Sequence, residues 1–251
     1  MYKIPANTLF IGKNLLYVPE CHSTNTIAAE LSQKTGTLDG TVVITDRQTA
    51  GKGQRGNSWE AEPGKNLTLS VILKPSFLAV RDQFSLTIAT SLALQAMLTE
   101  TLQRDVKIKW PNDILVQNRK ICGILIENSL SGEKIQQSII GIGLNVNQDS
   151  FSHPRATSMS LSASRQFDTG KVLTALLEKL ESFYLQLRSG AGELVPQYYA
   201  HLYWMGEEHI FSVNGEEITG TILGIDNTGR LHVRHSHNDQ FYGLKEISFV
   251  K

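Results

Sequence analysis

An excess of charge of either sign is the first thing this sequence lacks. Lysine and arginine number 24, aspartate and glutamate number 24, and the formal net charge of the 251-residue chain is zero. Such a chain has no electrostatic footprint for nucleic acid or an anionic membrane, so neither is expected as a partner. Cysteine is scarce. Cys21 and Cys122 are the two, too few and too far apart for a disulfide framework or a metal knuckle, and reduced thiols are expected. No apolar run approaches transmembrane length. Met1 to Glu20 is broken by polar residues every few positions and has no apolar core of the kind a secretory leader carries. A soluble cytoplasmic protein is the expectation. There is no internal repeat and no low-complexity run. No Ser-His-Asp arrangement and no paired-carboxylate spacing occurs. His232, His235 and His237 lie close together, but in a strand His235 and His237 share a face and His232 points the other way. An exposed strand and turn is expected there rather than a metal site.

What the sequence does have is a glycine-rich stretch, Gln48 to Trp59, with Gly51, Gly53 and Gly56, the cations Lys52 and Arg55, and Trp59. Before it, Thr41 to Thr45 reads as a strand; after it, Pro63-Gly64-Lys65-Asn66 reads as a turn and Leu67 to Leu73 as a second strand. The G-x-G-x-x-G spacing therefore lies between strands. A dinucleotide fingerprint needs a helix opening at the last glycine, which Trp59, Pro63 and Gly64 exclude. A kinase phosphate loop does lie between strands, but no V-A-I-K, H-R-D or D-F-G follows. What remains is a loop whose glycines let successive N–H groups turn toward an anion, with two cations beside it, or else an ordinary hairpin loop with solvated charges.

Taken in order, Leu15 to Val18 reads as a strand and Ser23, Thr24 and Asn25 as the cap of a short helix. The same hydroxyls would also serve a polar ligand at the helix start. Asp82 to Arg104 is the clearest helix, almost uncharged in its middle and so expected to be buried against a sheet. Val106 to Val116 reads as two strand ends interrupted by Pro111. Asn118-Arg119 is a turn, and Lys120 to Glu127 and Ile139 to Val146 are further strands. Asp149 to Gln166 is polar and turn-rich. Lys171 to Arg188 is an amphipathic helix with Thr169 as its expected cap, and Glu193 to Trp204 is another helical piece. From about Gly206 short strands alternate with turns at Asn214-Gly215, Asp226 to Gly229 and His237 to Asp239. Some five strands over roughly the last 45 residues point to a small β-barrel. The expected organisation is a catalytic domain over 1–204 and a barrel over 205–251. The expected fold class is α+β, a mixed sheet flanked by helices plus that barrel.

The polar residues that this topology can gather are Lys52, Arg55, Lys109 and Lys120, the amides Gln48, Asn112 and Asn145, one acid, Asp113, and the planar faces of Trp59 and Trp110. Such a set suits a reaction between anions, in which the protein neutralises charge and positions two reactants. Nucleotidyl transfer to a carboxylate is of that kind. Asp113 offers a hard oxygen to a metal on the phosphates. For Lys109 and Lys120 a plain surface strand position is the alternative.

Three stretches, Gly51-Lys52-Gly53-Gln54-Arg55-Gly56-Asn57-x-Trp59, Lys109-Trp110-Pro111-Asn112-Asp113 and Lys120-x-x-Gly123-Ile124-Leu125-Ile126-Glu127, resemble the signatures of biotin protein ligases. A fourth, Gly141-x-Gly143-x-Asn145-Val146-Asn147, does so too, and the likeness runs from Ser23 to the small C-terminal barrel. The resemblance implies a fold related to class II aminoacyl-tRNA synthetases with an SH3-like C-terminal domain. It implies that biotin and ATP, with Mg²⁺, give biotinyl-5′-AMP and pyrophosphate, after which a lysine of a biotin carboxyl carrier protein or similar carrier domain takes the biotinyl group. By the same resemblance the biotin site is Ser23, Thr24, Gln48, Gly51, Lys52, Lys120 and Gly123. Lys120, Arg55 and Lys109 are the catalytic cations. Lys52, Arg55, Trp59, Lys109, Asn112 and Asn145 meet the nucleotide, and Asp113 meets the metal. The chain departs from the family pattern where Lys52 and Gln54 stand in place of arginines; Lys52 loses the bidentate fork and Gln54 loses the charge. The catalytic pattern begins by residue 23, so a short form without an N-terminal DNA-binding domain is expected. Monomer and sheet-edge homodimer are both open. Two rival readings share the fold. A lipoate or octanoate ligase would differ in the acid pocket, and a non-enzymatic biotin or nucleotide sensor would have no use for Lys120.

Overall fold

Runs of β-branched and leucine residues separated by turns build seven strands: β1 (Leu15–Cys21), β2 (Thr41–Gln48), β3 (Leu67–Leu73), β4 (Val106–Lys109), β5 (Asp113–Val116), β6 (Arg119–Ser131) and β7 (Lys134–Leu144). In this computed structural model, which describes residues 2–250 without the side chains of Arg55 and Ala191, they form one sheet in the order β1-β2-β3-β7-β6-β5-β4. Only β1 and β2 run parallel. Between them lies the crossover helix α1 (Thr24–Ser32), as a parallel pair requires. The remaining neighbours are antiparallel.

Every position of β3 is buried, as expected of a strand covered on both faces. On one face, Val42, Ile44, Leu69 and Val71 join the main core with α2 (Phe84–Leu102) and α4 (Thr169–Ser189). α2 carries no acidic residue in its first turn and no basic one in its last, and its middle is buried. On the other face, Val43, Ile72 and Ile139 pack under Ala28 of α1.

That second face changes character along its length, and the change makes the site. In register, Ile72 pairs with Ile139, Ser70 with Gly141 and Thr68 with Gly143. Gly143 pairs on its other side with Gly123. Where α1 covers the sheet the residues are apolar; beyond it they are small or polar, and the sheet is left with a hollow.

α3 (Met159–Ala163), capped by the Ser158 hydroxyl, lies inside the segment expected to be polar and turn-rich. Asp168, not Thr169, caps α4, accepting from the N–H groups of Gly170 and Lys171. Its carboxylate at this position satisfies two first-turn donors that a threonine within the helix cannot reach. α5 (Leu194–His201) ends three residues short of Trp204.

The last part of the chain forms β8 (Glu208–Val213), β9 (Glu216–Ile225), β10 (Leu231–His235), β11 (Asn238–Tyr242) and β12 (Ile247–Phe249). They pair antiparallel in the order β11-β10-β9-β8-β12. Among the described residues no pairing joins β11 to β12, so the expected barrel is observed as an open five-stranded sheet. Asn214 and Gly215 turn with φ of 52° and 87°, the left-handed pair that a tight hairpin needs. The turn between β10 and β11 is made by Ser236 and His237, both with positive φ, so His237 stands outside the strands while Asn238 and Asp239 lie within β11. No three His, Cys, Asp or Glu side chains gather as metal ligands among the described residues. No described helix is long and apolar enough to cross a membrane.

Candidate active site

Two cavities open side by side over the hollow in the sheet. The smaller, about 170 Å³, has Ser23, Thr24, Gln48 and Asn25 at one end and Gly123, Gly141 and Gly143 along its floor. The larger, about 520 Å³, is lined by Lys109, Asn145, His153, Arg155 and Tyr203. Ser58, Trp59, Asp113 and Lys120 belong to both. Any reactant in one cavity meets a reactant in the other at that shared wall.

The small cavity's polar end is built from the start of α1. Ser23 is the N-cap by backbone geometry, yet its side chain makes no capping bond; it is buried on the cavity wall. The Gln48 amide oxygen accepts from the Thr24 N–H (2.8 Å) and the Thr24 hydroxyl (3.2 Å). Ser70 Oγ lies 2.7 Å from Thr24 Oγ1 and 2.6 Å from Asn25 Oδ1. Asn25 in turn donates to Glu127 (2.6 Å). Gln48 is therefore held with its oxygen committed to the protein, and its amide nitrogen lies beside Gly51, where a methyl would come within 2.8 Å.

Glycine is required at the floor because Trp59 rests on it. A methyl at Gly143 would come within 2.3 Å of the indole Cε2, and one at Gly123 within 3.0 Å of Cζ3. Trp59 is delivered there by the glycine-rich loop, which folds back on itself through Trp59 N–H to Gly51 C=O (3.0 Å) and Gly53 N–H to Asn57 C=O (2.7 Å). Its Nε1 is buried with no hydrogen-bond partner among the described residues.

At the shared wall the Lys120 ammonium lies 2.7 Å from Asp113 Oδ1 and 5.4 Å from the Trp59 ring centroid. Asp113 is set opposite Lys109 in the β4–β5 hairpin, whose turn carries a cis Trp110–Pro111 bond. Trp110 anchors this turn by donating from Nε1 to the carbonyl of Gly229 (2.9 Å).

The large cavity's far wall is residues 151–156, a loop whose place is fixed at Lys120 itself. The Lys120 N–H donates to the Arg155 carbonyl (2.7 Å), and the Thr157 N–H donates to the Lys120 carbonyl (2.8 Å). The Ser152 hydroxyl bonds Glu60 (2.5 Å) across the mouth. Asn145 is buried behind this loop. It donates Nδ2 to the Thr157 carbonyl (3.0 Å), while its Oδ1 is buried without a partner among the described residues.

Thus Ser23, Thr24, Gln48, Lys52, Gly123, Trp59, Asp113 and Lys120 come together at the small cavity, and Lys109 and Asn145 with Lys120 at the large one. Gly51 lies just behind, against Gln48 and Trp59. Lys52 is exposed and bonds Thr26 (3.1 Å). Asn112 lines the small cavity and not the large one, with Nδ2 held by the Ile124 carbonyl (2.7 Å). The Arg55 side chain lies outside the described residues. Sequence reasoning missed Ser70, His153, Arg155 and Tyr203. Ser70 sits in an apolar strand whose polar member was the available signal; the other three come from irregular segments with no periodicity. Both thiols are free, and burial pushes each above its ordinary pKa.

The sequence profile of the biotin/lipoate A/B protein ligase family matches residues 17–145. The bifunctional ligase/repressor BirA of Bacillus subtilis (strain 168) is 30% identical over 246 residues, 96% of this chain and 74% of that protein. The biotin–[acetyl-CoA-carboxylase] ligase of Mycobacterium tuberculosis is 30% identical over 226 residues, 87% of this chain and 82% of that protein. Among solved structures, the biotin protein ligase from Aquifex aeolicus in complex with biotin and ATP is similar with a TM-score of 0.78 and 26% identity, over 95% of this chain and 99% of that one. A profile match over half the sequence and relatives aligned along nearly its whole length agree with the paired cavities, and the chain belongs to the biotin/lipoate A/B protein ligase family.

Proposed function

We propose that the protein joins biotin to a lysine of a carboxylase carrier domain in two steps, both centred on Lys120. The observation that carries this reading is the wall shared by the two cavities. An acid in the small cavity and a nucleotide in the large one would meet where Lys120 and Asp113 stand.

In the first step a carboxylate oxygen of biotin attacks the α-phosphorus of ATP. The new bond is C(O)–O–P, and the bond from α-phosphorus to the pyrophosphate oxygen breaks. Both reactants are anions, so cations must offset their repulsion. Lys120 faces the carboxylate and the α-phosphate, and Lys109 the phosphates on the other side; Lys52 and Arg55 belong to the loop that closes over them. In the second step the neutral amine of the carrier lysine attacks the acyl carbon, AMP leaves, and an amide forms with loss of the amine proton. Lys120 then stabilises the charge that develops on the leaving phosphate.

Ser23, Thr24 and Gln48 offer hydroxyl and amide groups to a ureido ring. That polarity favours biotin over lipoate or octanoate, whose alkyl chains have nothing to bond there. Asp113 suits magnesium, which keeps most of its waters and needs one or two carboxylates beside phosphate oxygens; the ion would neutralise phosphate charge. Asn145 supports an adenine contact, because its orphaned Oδ1 is an acceptor in want of a donor such as an exocyclic amine. A catalytic unit over 1–204 and a C-terminal unit over 205–251 fit the point where Gly206 N–H first pairs with Ile222 C=O (2.9 Å).

ATP–pyrophosphate exchange with Mg²⁺ tests the reading, with biotin, lipoate, octanoate or no acid added. Exchange with biotin alone is expected. Exchange with lipoate or octanoate instead would overturn the pocket assignment. Absence of exchange from a folded protein that still binds biotin would leave a sensor. The partner is then found by transfer of the biotinyl group to an acetyl-CoA carboxylase carrier domain.

A further inference from the structure

The C-terminal sheet reaches the nucleotide cavity through one ring. The Lys109 ammonium sits 4.7 Å from the centroid of Phe249, the last residue of β12. Lys109 is the last residue of β4, and both side chains are half-buried. The two come from different sheets, one from the edge strand of the sheet that carries the site and one from the three-residue edge strand of the other.

The ring is held on every side available to it. Phe249 pairs in register with Phe211 and meets that fully buried ring edge-on at 5.4 Å and 68°. Trp204 lies 5.2 Å from it and Tyr203 6.4 Å. Trp204 adopts a left-handed φ of 63°, a conformation that a bulky residue takes at a cost, and thereby stacks on His209 (3.8 Å, 13°) and on Tyr203 (4.9 Å, 22°). Tyr203 lines the nucleotide cavity next to Lys109, and its N–H donates to the carbonyl of Ile108 (2.8 Å). A run of aromatic rings therefore leads from the C-terminal sheet to the ammonium.

We propose that Phe249 is a positioning residue for Lys109, so that the C-terminal sheet acts on the ATP site through that ammonium. The inference rests on the reading of Lys109 as a phosphate-facing cation. A lysine carries its charge on four flexible carbons and is strongly hydrated. An aromatic face attracts the ammonium through its quadrupole and limits where the chain places it. Phe249 itself touches no substrate; it acts through Lys109.

The test is a double-mutant cycle in the full-length protein, read as KM for ATP in biotin-dependent pyrophosphate exchange. Phe249→Leu keeps an apolar side chain and removes the ring, and is expected to raise KM for ATP by about fivefold, as loss of one partly buried cation–π contact would. Biotin affinity and the thermal midpoint should move little. Phe249→Tyr restores the ring face and should restore KM. In a Lys109→Met background Phe249→Leu should add nothing. Additive effects of the two substitutions, or failure of Phe249→Tyr to rescue, would overturn the coupling while leaving Lys109 in the site. An unchanged KM in Lys109→Met alone would remove Lys109 from the ATP site and the proposal with it.

Discussion

Lys120 and Asp113 form an ion pair, Nζ to Oδ1 2.7 Å, on the wall that separates the two cavities. The pair is not there for stability. Lys120 is 37% exposed and Asp113 23%, and an ion pair so open to water contributes on the order of 1 kcal/mol or less. Its effect is one of placement. With no substrate present the carboxylate keeps the ammonium at the seam, where two anionic reactants would meet. On the proposed reading their arrival would give Lys120 stronger partners, and Asp113 would then be available to a magnesium ion on the phosphates.

Lys120→Met should therefore abolish chemistry before it harms the fold. The backbone bonds of Lys120 to the Arg155 carbonyl and the Thr157 N–H do not involve its side chain. The loss in pyrophosphate exchange should be about 10²–10³-fold, the usual cost of removing one preorganised stabilising group. The thermal midpoint should stay near that of the parent. Near-normal exchange in Lys120→Met would take this residue out of the mechanism.

Gly143→Ala probes the seat of Trp59. The added methyl would come within 2.3 Å of the indole, and one of the two must move. Gly143 is paired on both sides within the sheet, whereas Trp59 belongs to a loop that hydrogen-bonds mostly to itself. The indole is expected to leave, shifting tryptophan emission to longer wavelength and weakening biotin and adenylate binding together. The shift should vanish in a Trp59→Phe background, which separates it from Trp110 and Trp204. Unchanged emission with a stability loss of about 1–3 kcal/mol, the ordinary result of overpacking, would mean that the sheet yields instead.

These two residues also show how far the sequence could be read. Gly143 and Lys120 stood out because the stretches that carry them resemble biotin protein ligase signatures, and both line the small cavity. β3 spans Leu67–Leu73, as its run of apolar and β-branched residues predicts, because a strand buried on both faces needs no finer signal. Asn214-Gly215 marked its hairpin for a comparable reason, a backbone demand that few residues meet. The barrel was less legible. Strand number and turn spacing are local, whereas closure depends on whether β11 and β12 meet, and nothing in either strand encodes its edge partner. The wall of the large cavity was invisible because residues 151–156 are irregular and are placed by bonds to the backbone of Lys120, which any side chain there would permit. The cap of α4 failed by one residue, since Asp168 and Thr169 both suit an N-cap and only the geometry chooses.

Acid should loosen the site from a distance, through Asp226. Partial burial raises the pKa of this carboxyl, but hydrogen bonds from the hydroxyl and N–H of Thr228 and from the N–H and guanidinium of Arg230 outweigh it and hold it at about 2, below an ordinary 3.8. A depressed pKa means that the unfolded chain takes up the proton first. The contribution is thus complete above about pH 4 and is lost as the pH falls toward 2. The turn that Asp226 organises carries Gly229, whose carbonyl accepts from Trp110 and so anchors the hairpin bearing Lys109 and Asp113. Asp226→Asn should lower stability at pH 7 and flatten its dependence between pH 4 and 2. Parallel stability curves for parent and variant over that range would exclude the assignment.

Asn145 offers the sharpest test of how the nucleotide is read. Its backbone N–H donates to the Ile121 carbonyl, its carbonyl accepts from Met159, and its Nδ2 donates to Thr157. Those bonds leave Oδ1 fixed, buried and, among the described residues, unsatisfied. An acceptor in that state favours a ligand that brings a donor and disfavours one that brings another acceptor. ATP and inosine triphosphate differ at C6 of the base, amine against carbonyl, and at N1, acceptor against N–H donor, so an Oδ1 seated opposite C6 meets a donor in the first and an acceptor in the second. The parent should therefore prefer ATP by roughly tenfold or more, corresponding to about 1–3 kcal/mol for one buried hydrogen bond made or denied. In Asn145→Leu the preference should collapse, with KM for ATP rising and that for inosine triphosphate rising less. If Asn145 acts only as a strut for the loop through Thr157, the two nucleotides should lose equally, and the ratio of their kcat/KM values distinguishes the two roles.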